Sequence, residues 1–117
     1  MKLNPCPCCG YLVFDEPPGS YAICPVCGWE DDFVQLQWPT MGGANDPLFM
    51  AQREFALKPP PRDLAVLPDR DPLWRPVEEG DLPADEPRDY WGGVNAAIDR
   101  PLAEPYYWRR RRASNDQ

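Results

Sequence analysis

The sequence predicts a small, metal-stapled α+β fold in which a β-hairpin and one short helix are followed by a long, extended, Pro-rich tail. Three observations predict it. All five cysteines lie between residues 6 and 27, apolar residues recur with helical spacing shortly before residue 57, and ten of the 17 prolines follow that residue. A chain of 117 residues that is so rich in proline buries little apolar surface, so a staple is needed to stabilise the fold.

The hairpin is predicted from residues 11–14 and 21–23. Both runs contain aromatic or β-branched residues, and a turn with Pro17, Pro18 and Gly19 separates them. Pairing of these runs would bring the two groups of cysteines side by side. A further strand is predicted over residues 33–38.

The helix is predicted to begin near Asn45 or Asp46, either of which suits an N-cap. Pro47 would take the first helical position, where its missing N–H costs nothing. From Leu48 onward, apolar residues recur at i, i+3 and i+7, which gives the helix one apolar face. We expect the helix to end near Leu57, because three consecutive prolines follow shortly after it.

The sequence predicts two segments, a domain at residues 1–57 and a tail at residues 58–117. Residues 58–105 contain ten prolines and show no helical period. Large apolar side chains are spaced along the tail, which favours an extended strap that docks on the domain or on a partner; a disordered linker is the alternative. The candidate anchors are Leu73, Trp74, Tyr90, Trp91, Tyr106, Tyr107 and Trp108.

The cysteines form two copies of the pattern C-P-x-C-G. The first copy places Cys6 and Cys9 three residues apart, and the second does the same with Cys24 and Cys27. A C-x-x-C turn sets two thiolates on one side of a tight loop, and the following glycine tolerates the left-handed backbone that this turn requires. Two such knuckles provide four sulfurs, which is a closed tetrahedral shell for Zn²⁺. The sequence therefore predicts a four-cysteine zinc ribbon.

The identity of the metal leaves an alternative. Tetrahedral thiolate sites hold either zinc or iron, and the knuckles also look like a rubredoxin-type iron centre that carries one electron. A closed zinc shell has no open position for water. The chain also has no histidine, and it has no phosphate-binding loop or nucleophile motif. We therefore expect a protein that is not an enzyme.

Cys8 is a fifth cysteine, placed inside the first knuckle. Its side chain is expected to point away from the metal. It is either a reactive thiol that can be oxidised or exchanged into the site, or a small residue packed beneath the hairpin, as free cysteines usually are.

Residues 4–57 contain four distinctive strings, Cys6-Pro7-Cys8-Cys9-Gly10-Tyr11, Cys24-Pro25-Val26-Cys27, Trp29-Glu30-Asp31-Asp32 and Gly42-Gly43-Ala44-Asn45. Together they resemble the cysteine-rich CPCC family of small, mainly bacterial proteins. The resemblance implies a metal-binding ribbon and a bacterial setting, and it implies no activity. The sequence Tyr106-Tyr107-Trp108-Arg109 is similar to the C-termini of that family.

The expected role is that of a protein-interaction module in the cytoplasm. No secretory signal or membrane-spanning run is visible, and unpaired cysteines suit a reducing compartment. Candidate contacts are Trp29, Phe33, Trp38 and the acidic run 30–32, although Trp29 could instead cover the metal and the acidic run could be a solvated turn. The alternatives are a redox protein and a nucleic-acid-binding ribbon, which the net charge of -7 disfavours. The second would use Arg109, Arg110, Arg111 and Arg112.

Overall fold

The computed structural model of the protein describes residues 2–58, 67–83, 86–99 and 103–110. These residues form an α+β fold with one two-stranded antiparallel sheet, as the sequence predicted. In this part of the chain, no helix has both the length and the apolar content that crossing a bilayer requires. The elements are β1 (Asn4–Pro5), β2 (Leu12–Phe14), α1 (Phe33–Gln37), α2 (Leu48–Ala56) and α3 (Tyr90–Asp99), with short 3₁₀ turns at Glu79–Asp81 and Tyr107–Arg109.

The sheet differs from the predicted hairpin in its pairing. β2 does not pair with residues 21–23; it pairs with β1, with Asn4 opposite Phe14 and Pro5 opposite Leu12. Residues 21–23 instead pair across the second knuckle, where Ile23 forms a bridge with Glu30. The reason is that each knuckle reverses the chain, so the residues on its two sides are already adjacent and pair with each other.

The segment predicted as a third strand is helix α1. Asp32 caps its N-terminus by accepting a hydrogen bond from the backbone N–H of Val34 at 3.0 Å. Gln35 is buried within this helix, and its amide satisfies backbone groups of the following loop. A short apolar run does not distinguish a strand from a buried helix. Here the Asp32 cap and the contacts of Gln35 with the loop favour the helix.

Helix α2 confirms the predicted helix, including its end, because Leu57 is its C-cap residue. The predicted N-cap is wrong: Pro47 occupies that position, and no side chain caps the helix. Asn45 instead hydrogen-bonds to the backbone of Glu30, donating through Nδ2 and accepting through Oδ1 at 2.9 Å each.

Helix α3 lies within the segment that the sequence predicted to have no helix, so that prediction is wrong for residues 90–99. Two consecutive glycines weaken the intrinsic helix propensity of this segment, so the sequence did not predict the helix. Packing explains the glycine at position 93: a Cβ there would lie 2.7 Å from Cγ1 of Val34 in α1. Helices α1 and α3 thereby enclose a small second core of Val34, Trp38, Met41 and Ala97.

The main core surrounds the cysteines and draws on both predicted segments. Tyr106, Tyr107 and Trp108 are buried in the same cluster as the knuckle cysteines, and Trp74 and Val77 pack against that cluster. Of the other candidate anchors, Tyr90 is half-buried, whereas Leu73 and Trp91 are exposed. Whether residues 1–57 fold without the tail stays a prediction.

Candidate metal centre

The two knuckles have the same backbone geometry. In the first, the N–H of Gly10 donates to the carbonyl of Cys6 at 2.7 Å; in the second, that of Gly28 donates to the carbonyl of Cys24 at 2.9 Å. Both glycines have positive φ angles, 81° and 84°, as the sequence predicted. In the second knuckle the N–H of Val26 also lies 3.4 Å from the Cys24 sulfur, so the turn directs a donor at that sulfur.

The knuckles bring four sulfurs together, those of Cys6, Cys9, Cys24 and Cys27. All four Sγ atoms lie within 4.8 Å of one another. The two closest contacts join the knuckles: Cys6 to Cys27 at 3.6 Å and Cys9 to Cys24 at 3.7 Å. These separations are far longer than the ~2.05 Å of a disulfide bond. The four cysteines could therefore hold a metal ion.

The sulfur separations match the size of a zinc shell. A Zn–S distance of ~2.3 Å in a regular tetrahedron implies sulfur–sulfur edges of ~3.8 Å. The two contacts of 3.6 and 3.7 Å are close to that edge. Two of the six sulfur–sulfur edges thus have the length that a tetrahedral ion requires, and none of the six exceeds 4.8 Å.

The electrostatics of the cluster also favour a cation. Burial raises the pKa of the Cys6 thiol well above its ordinary value. Hydrogen bonds with Cys24 raise the pKa values of the Cys9 and Cys27 thiols. The hydrogen bond between Cys24 and Cys27 lowers the pKa of the Cys24 thiol. The sulfurs cannot all ionise beside one another in a buried site, so four thiolates need a positive ion among them.

The first knuckle is enclosed by the segment that follows residue 66. Its backbone carbonyls accept hydrogen bonds from three residues of that segment. Arg70 Nε donates to the Cys9 carbonyl at 2.8 Å, the N–H of Asp71 donates to the Gly10 carbonyl at 2.8 Å, and Trp74 Nε1 donates to the Pro7 carbonyl at 2.9 Å. The guanidinium of Arg70 also lies over the rings of Tyr11 and Trp74, at 4.6 and 4.9 Å.

Asp71 connects this segment to the C-terminus of the described chain. It is 5% exposed and accepts hydrogen bonds from Trp108 Nε1 at 2.8 Å and from Arg109 Nε at 3.0 Å. Burial alone would raise the pKa of Asp71, but the bonds from Trp108, from the Leu73 N–H and from Arg109 outweigh it and lower the pKa. Asp71 is therefore held as a carboxylate that anchors the C-terminal aromatic residues.

The strings W-E-D-D and G-G-A-N lie against each other and have structural roles. Asp31 is buried and accepts two hydrogen bonds from Ser20. Asp32 accepts bonds from the backbone N–H of Ala44 and the hydroxyl of Tyr90. The expectation of a solvated acidic turn is wrong for these two carboxylates, because both are buried and each has donors to satisfy it.

Two of the candidate contact residues are buried. Trp29 is 2% exposed and packs in the cluster that contains the cysteines, which agrees with the interpretation that it covers the site. Trp38 packs in the second core, and Phe33 is half-buried beside it. The prediction that Trp29 and Trp38 form an exposed interaction surface is therefore wrong.

The arginine cluster is only partly described. Arg109 forms an ion pair with Asp71 at 2.9 Å, and Arg110 is half-buried. Arg111 and Arg112 lie outside the described residues.

Sequence reasoning missed the polar residues that support the site. Gln35, Gln52 and Asp71 are all buried and hydrogen-bonded, but nothing in the sequence distinguishes them from surface residues of the same types.

Cys8, by contrast, lies where the sequence placed it. It is 3% exposed, is absent from the four-sulfur group and lines a cavity beside Cys27.

Comparison with known proteins agrees with the motifs. No curated protein matches the chain significantly. Residues 4–57 match the family model described as cysteine-rich CPCC, which confirms the resemblance predicted from the knuckles and the two strings that follow them.

Proposed function

We propose that this protein is a small zinc-binding module in which Cys6, Cys9, Cys24 and Cys27 hold one structural Zn²⁺. The observation that carries the proposal is the pair of sulfur–sulfur contacts, 3.6 and 3.7 Å, at the edge length of a tetrahedral zinc shell. Bound zinc would contribute on the order of 10 kcal/mol to folding, and this supplies the staple that a small core requires.

The proposed role of the metal is structural. Four cysteine ligands fill the shell, so no position is left for a reacting water molecule. Three of the four ligands are almost fully buried, with exposed fractions of 0–2%. We therefore propose a non-enzymatic role, and five cysteines that form no disulfide suit a reducing compartment such as the cytoplasm.

Iron is the alternative occupant, because four thiolates in a tetrahedron also suit a one-electron iron centre. Metal analysis of protein purified without added metal distinguishes the two. We expect about one zinc per chain and a colourless protein; a red protein that contains iron would identify a redox centre instead. Protein without either metal would refute the site.

The ligand assignment is tested by a matched pair of variants. Cys24→Ser removes one of the four clustered sulfurs and is expected to lose metal and fold. Cys8→Ser changes a buried cysteine outside the cluster and is expected to retain both. Equal loss of metal from the two variants would show that the ligands are wrongly assigned.

We also propose that helix α3 presents the surface that binds a protein partner. Trp91 is 73% exposed and Ile98 is 67% exposed, and their i, i+7 spacing places both on one face of the helix. A large exposed tryptophan is a frequent interface anchor. Nucleic acid is a less suitable partner, because Arg109 is already paired with Asp71 and the chain has a net charge of -7.

The test compares proteins retained from bacterial lysate by the immobilised chain and by its Trp91→Ser variant, with metal content as the check on folding. We expect a partner that the variant loses. Retention of the same proteins by both would refute the assignment of this face, and salt-sensitive retention of nucleic acid would favour the alternative.

A further inference from the structure

The two knuckles differ in how well they are covered. The first is closed by hydrogen bonds to its carbonyls, and its ligands Cys6 and Cys9 are completely buried. The second is open. Pro25 and Gly28 are exposed, and a Cβ at Gly28 would meet nothing within 4 Å. Any small reactant must therefore approach the sulfurs from the side of the second knuckle.

Cys27 is the ligand on that open side. It is half-buried, whereas the other three clustered cysteines are buried. It lines a cavity of about 250 Å³, with walls that include Trp29 and Phe55. A water molecule occupies ~30 Å³ in the liquid, so the cavity admits molecules of the size of hydrogen peroxide.

Cys8 lines the same cavity. Cys8 precedes the ligand Cys9 in the first knuckle, and its side chain is 3% exposed. The cavity therefore brings together the accessible ligand, Cys27, and the one cysteine that lies outside the four-sulfur group, Cys8. This pairing is what a reactive thiol and its resolving thiol require.

We propose that Cys27 is a peroxide-sensitive ligand and that Cys8 is its resolving thiol. The Cys27 thiolate attacks one oxygen of hydrogen peroxide; the O–O bond breaks, a sulfenic acid forms on Cys27, and hydroxide leaves. The Cys8 thiol then attacks the Cys27 sulfur, an S–S bond replaces the S–O bond, and the sulfenic oxygen leaves with the Cys8 proton as water. Two thiols lose two electrons, and peroxide gains them.

The consequence is a reversible opening of the proposed metal site, on which this inference rests. A Cys8–Cys27 disulfide removes one ligand and leaves Cys6, Cys9 and Cys24 in place. A disulfide between Cys27 and Cys6 would remove two ligands at once, although those sulfurs are only 3.6 Å apart. Cys8 thus directs oxidation to a disulfide that leaves three ligands in place, and it protects Cys27 from irreversible over-oxidation.

The experiment exposes the full-length, zinc-loaded protein to a small molar excess of hydrogen peroxide. Zinc release is followed with a chromogenic chelator, and disulfides are mapped by mass spectrometry. Cleavage at Asp15 and Glu16, which lie between the knuckles, separates the peptides that carry Cys8 and Cys27. We expect loss of the metal together with a Cys8–Cys27 crosslink, and return of full metal binding after reduction.

Cys8→Ala and Cys8→Ser are the matched variants, each first shown to bind metal as the wild type does. We expect both to lose the crosslink, to accumulate sulfinic acid on Cys27 and to lose most of the metal recovery on reduction. Recovery as complete as in the wild type, or a wild-type crosslink from Cys27 to Cys6, would refute the inference alone. Failure of the untreated wild type to hold metal would refute the proposed function instead.

Discussion

The side-chain amide of Gln52 joins parts of the chain that are distant in sequence. It lies in helix α2 and is 5% exposed. Its Nε2 donates to the carbonyl of Pro7 in the first knuckle at 3.0 Å and to the hydroxyl of Tyr107 at 2.7 Å. Its Oε1 accepts from the backbone N–H of Val77 at 2.9 Å. The first knuckle, the helix and two tail segments therefore meet at one side chain.

Gln52→Leu preserves most of the side-chain volume and removes all three hydrogen bonds. The Pro7 carbonyl keeps its bond from Trp74, and the Tyr107 hydroxyl still donates to a backbone carbonyl at 2.8 Å. Val77 loses the acceptor of its N–H, so the bonds do not contribute equally. Adding ~0.5 kcal/mol for each of the three lost bonds and a penalty of ~1.5 kcal/mol for the unsatisfied donor gives a loss of about 3 kcal/mol in the free energy of unfolding.

The assay is urea unfolding of the protein as purified, followed by tryptophan fluorescence. Urea lowers the free energy of unfolding of small proteins by ~1–3 kcal/mol per molar, so a loss of about 3 kcal/mol lowers the urea midpoint by roughly 1–3 M. Glu54→Gln, an exposed change on the same helix, is the control and should stay within about 0.5 kcal/mol of the wild type. A Gln52→Leu protein as stable as this control would refute the view that the amide holds the tail to the knuckle.

Three further predictions use the same unfolding assay. Gly10→Ala should lower the free energy of unfolding by about 2 kcal/mol more than Gly28→Ala does. Both positions have left-handed backbones, but only at Gly10 would a Cβ meet an indole ring, at 2.6 Å. Equal losses for the two variants would show that the contact is irrelevant. Asp71→Ala should cost about 3 kcal/mol, because it leaves the buried Trp108 N–H and the partly buried Arg109 guanidinium without their acceptor. A loss near that of an exposed change would contradict this. Trp108→Phe should lower the free energy of unfolding by about 1–2 kcal/mol more than Trp29→Phe does. The Trp108 N–H donates to a carboxylate, whereas the buried Trp29 N–H has no partner among the described residues. A larger loss from Trp29→Phe would refute this assignment of the two N–H groups.

Local patterns were the most predictable part of the fold. The doubled C-P-x-C-G pattern predicted both left-handed glycines, because a C-x-x-C turn can close only through that backbone conformation. The end of helix α2 was also predictable, since prolines cannot continue a helix. Both features depend on residues that are neighbours in the chain.

Predictions that depended on distant neighbours were less accurate. Residues 33–37 form a helix because Asp32 caps them and Gln35 satisfies the loop beyond. Helix α3 forms despite two glycines, because one of them allows close packing on α1. In both cases tertiary contacts outweigh the weak intrinsic preferences that a sequence displays.

The sequence by itself determined the candidate metal ligands, because the spacing of cysteines within each knuckle sets two sulfurs on one side of a short turn. The tertiary structure decided what surrounds them: the tail closes the first knuckle, and the second stays open with Cys27 and Cys8 on one cavity. The physical reason is the range of the interactions. A turn is fixed by the torsion angles of a few adjacent residues, whereas burial depends on side chains that the chain brings together from 60 or more residues away, as with Arg70 and Cys9.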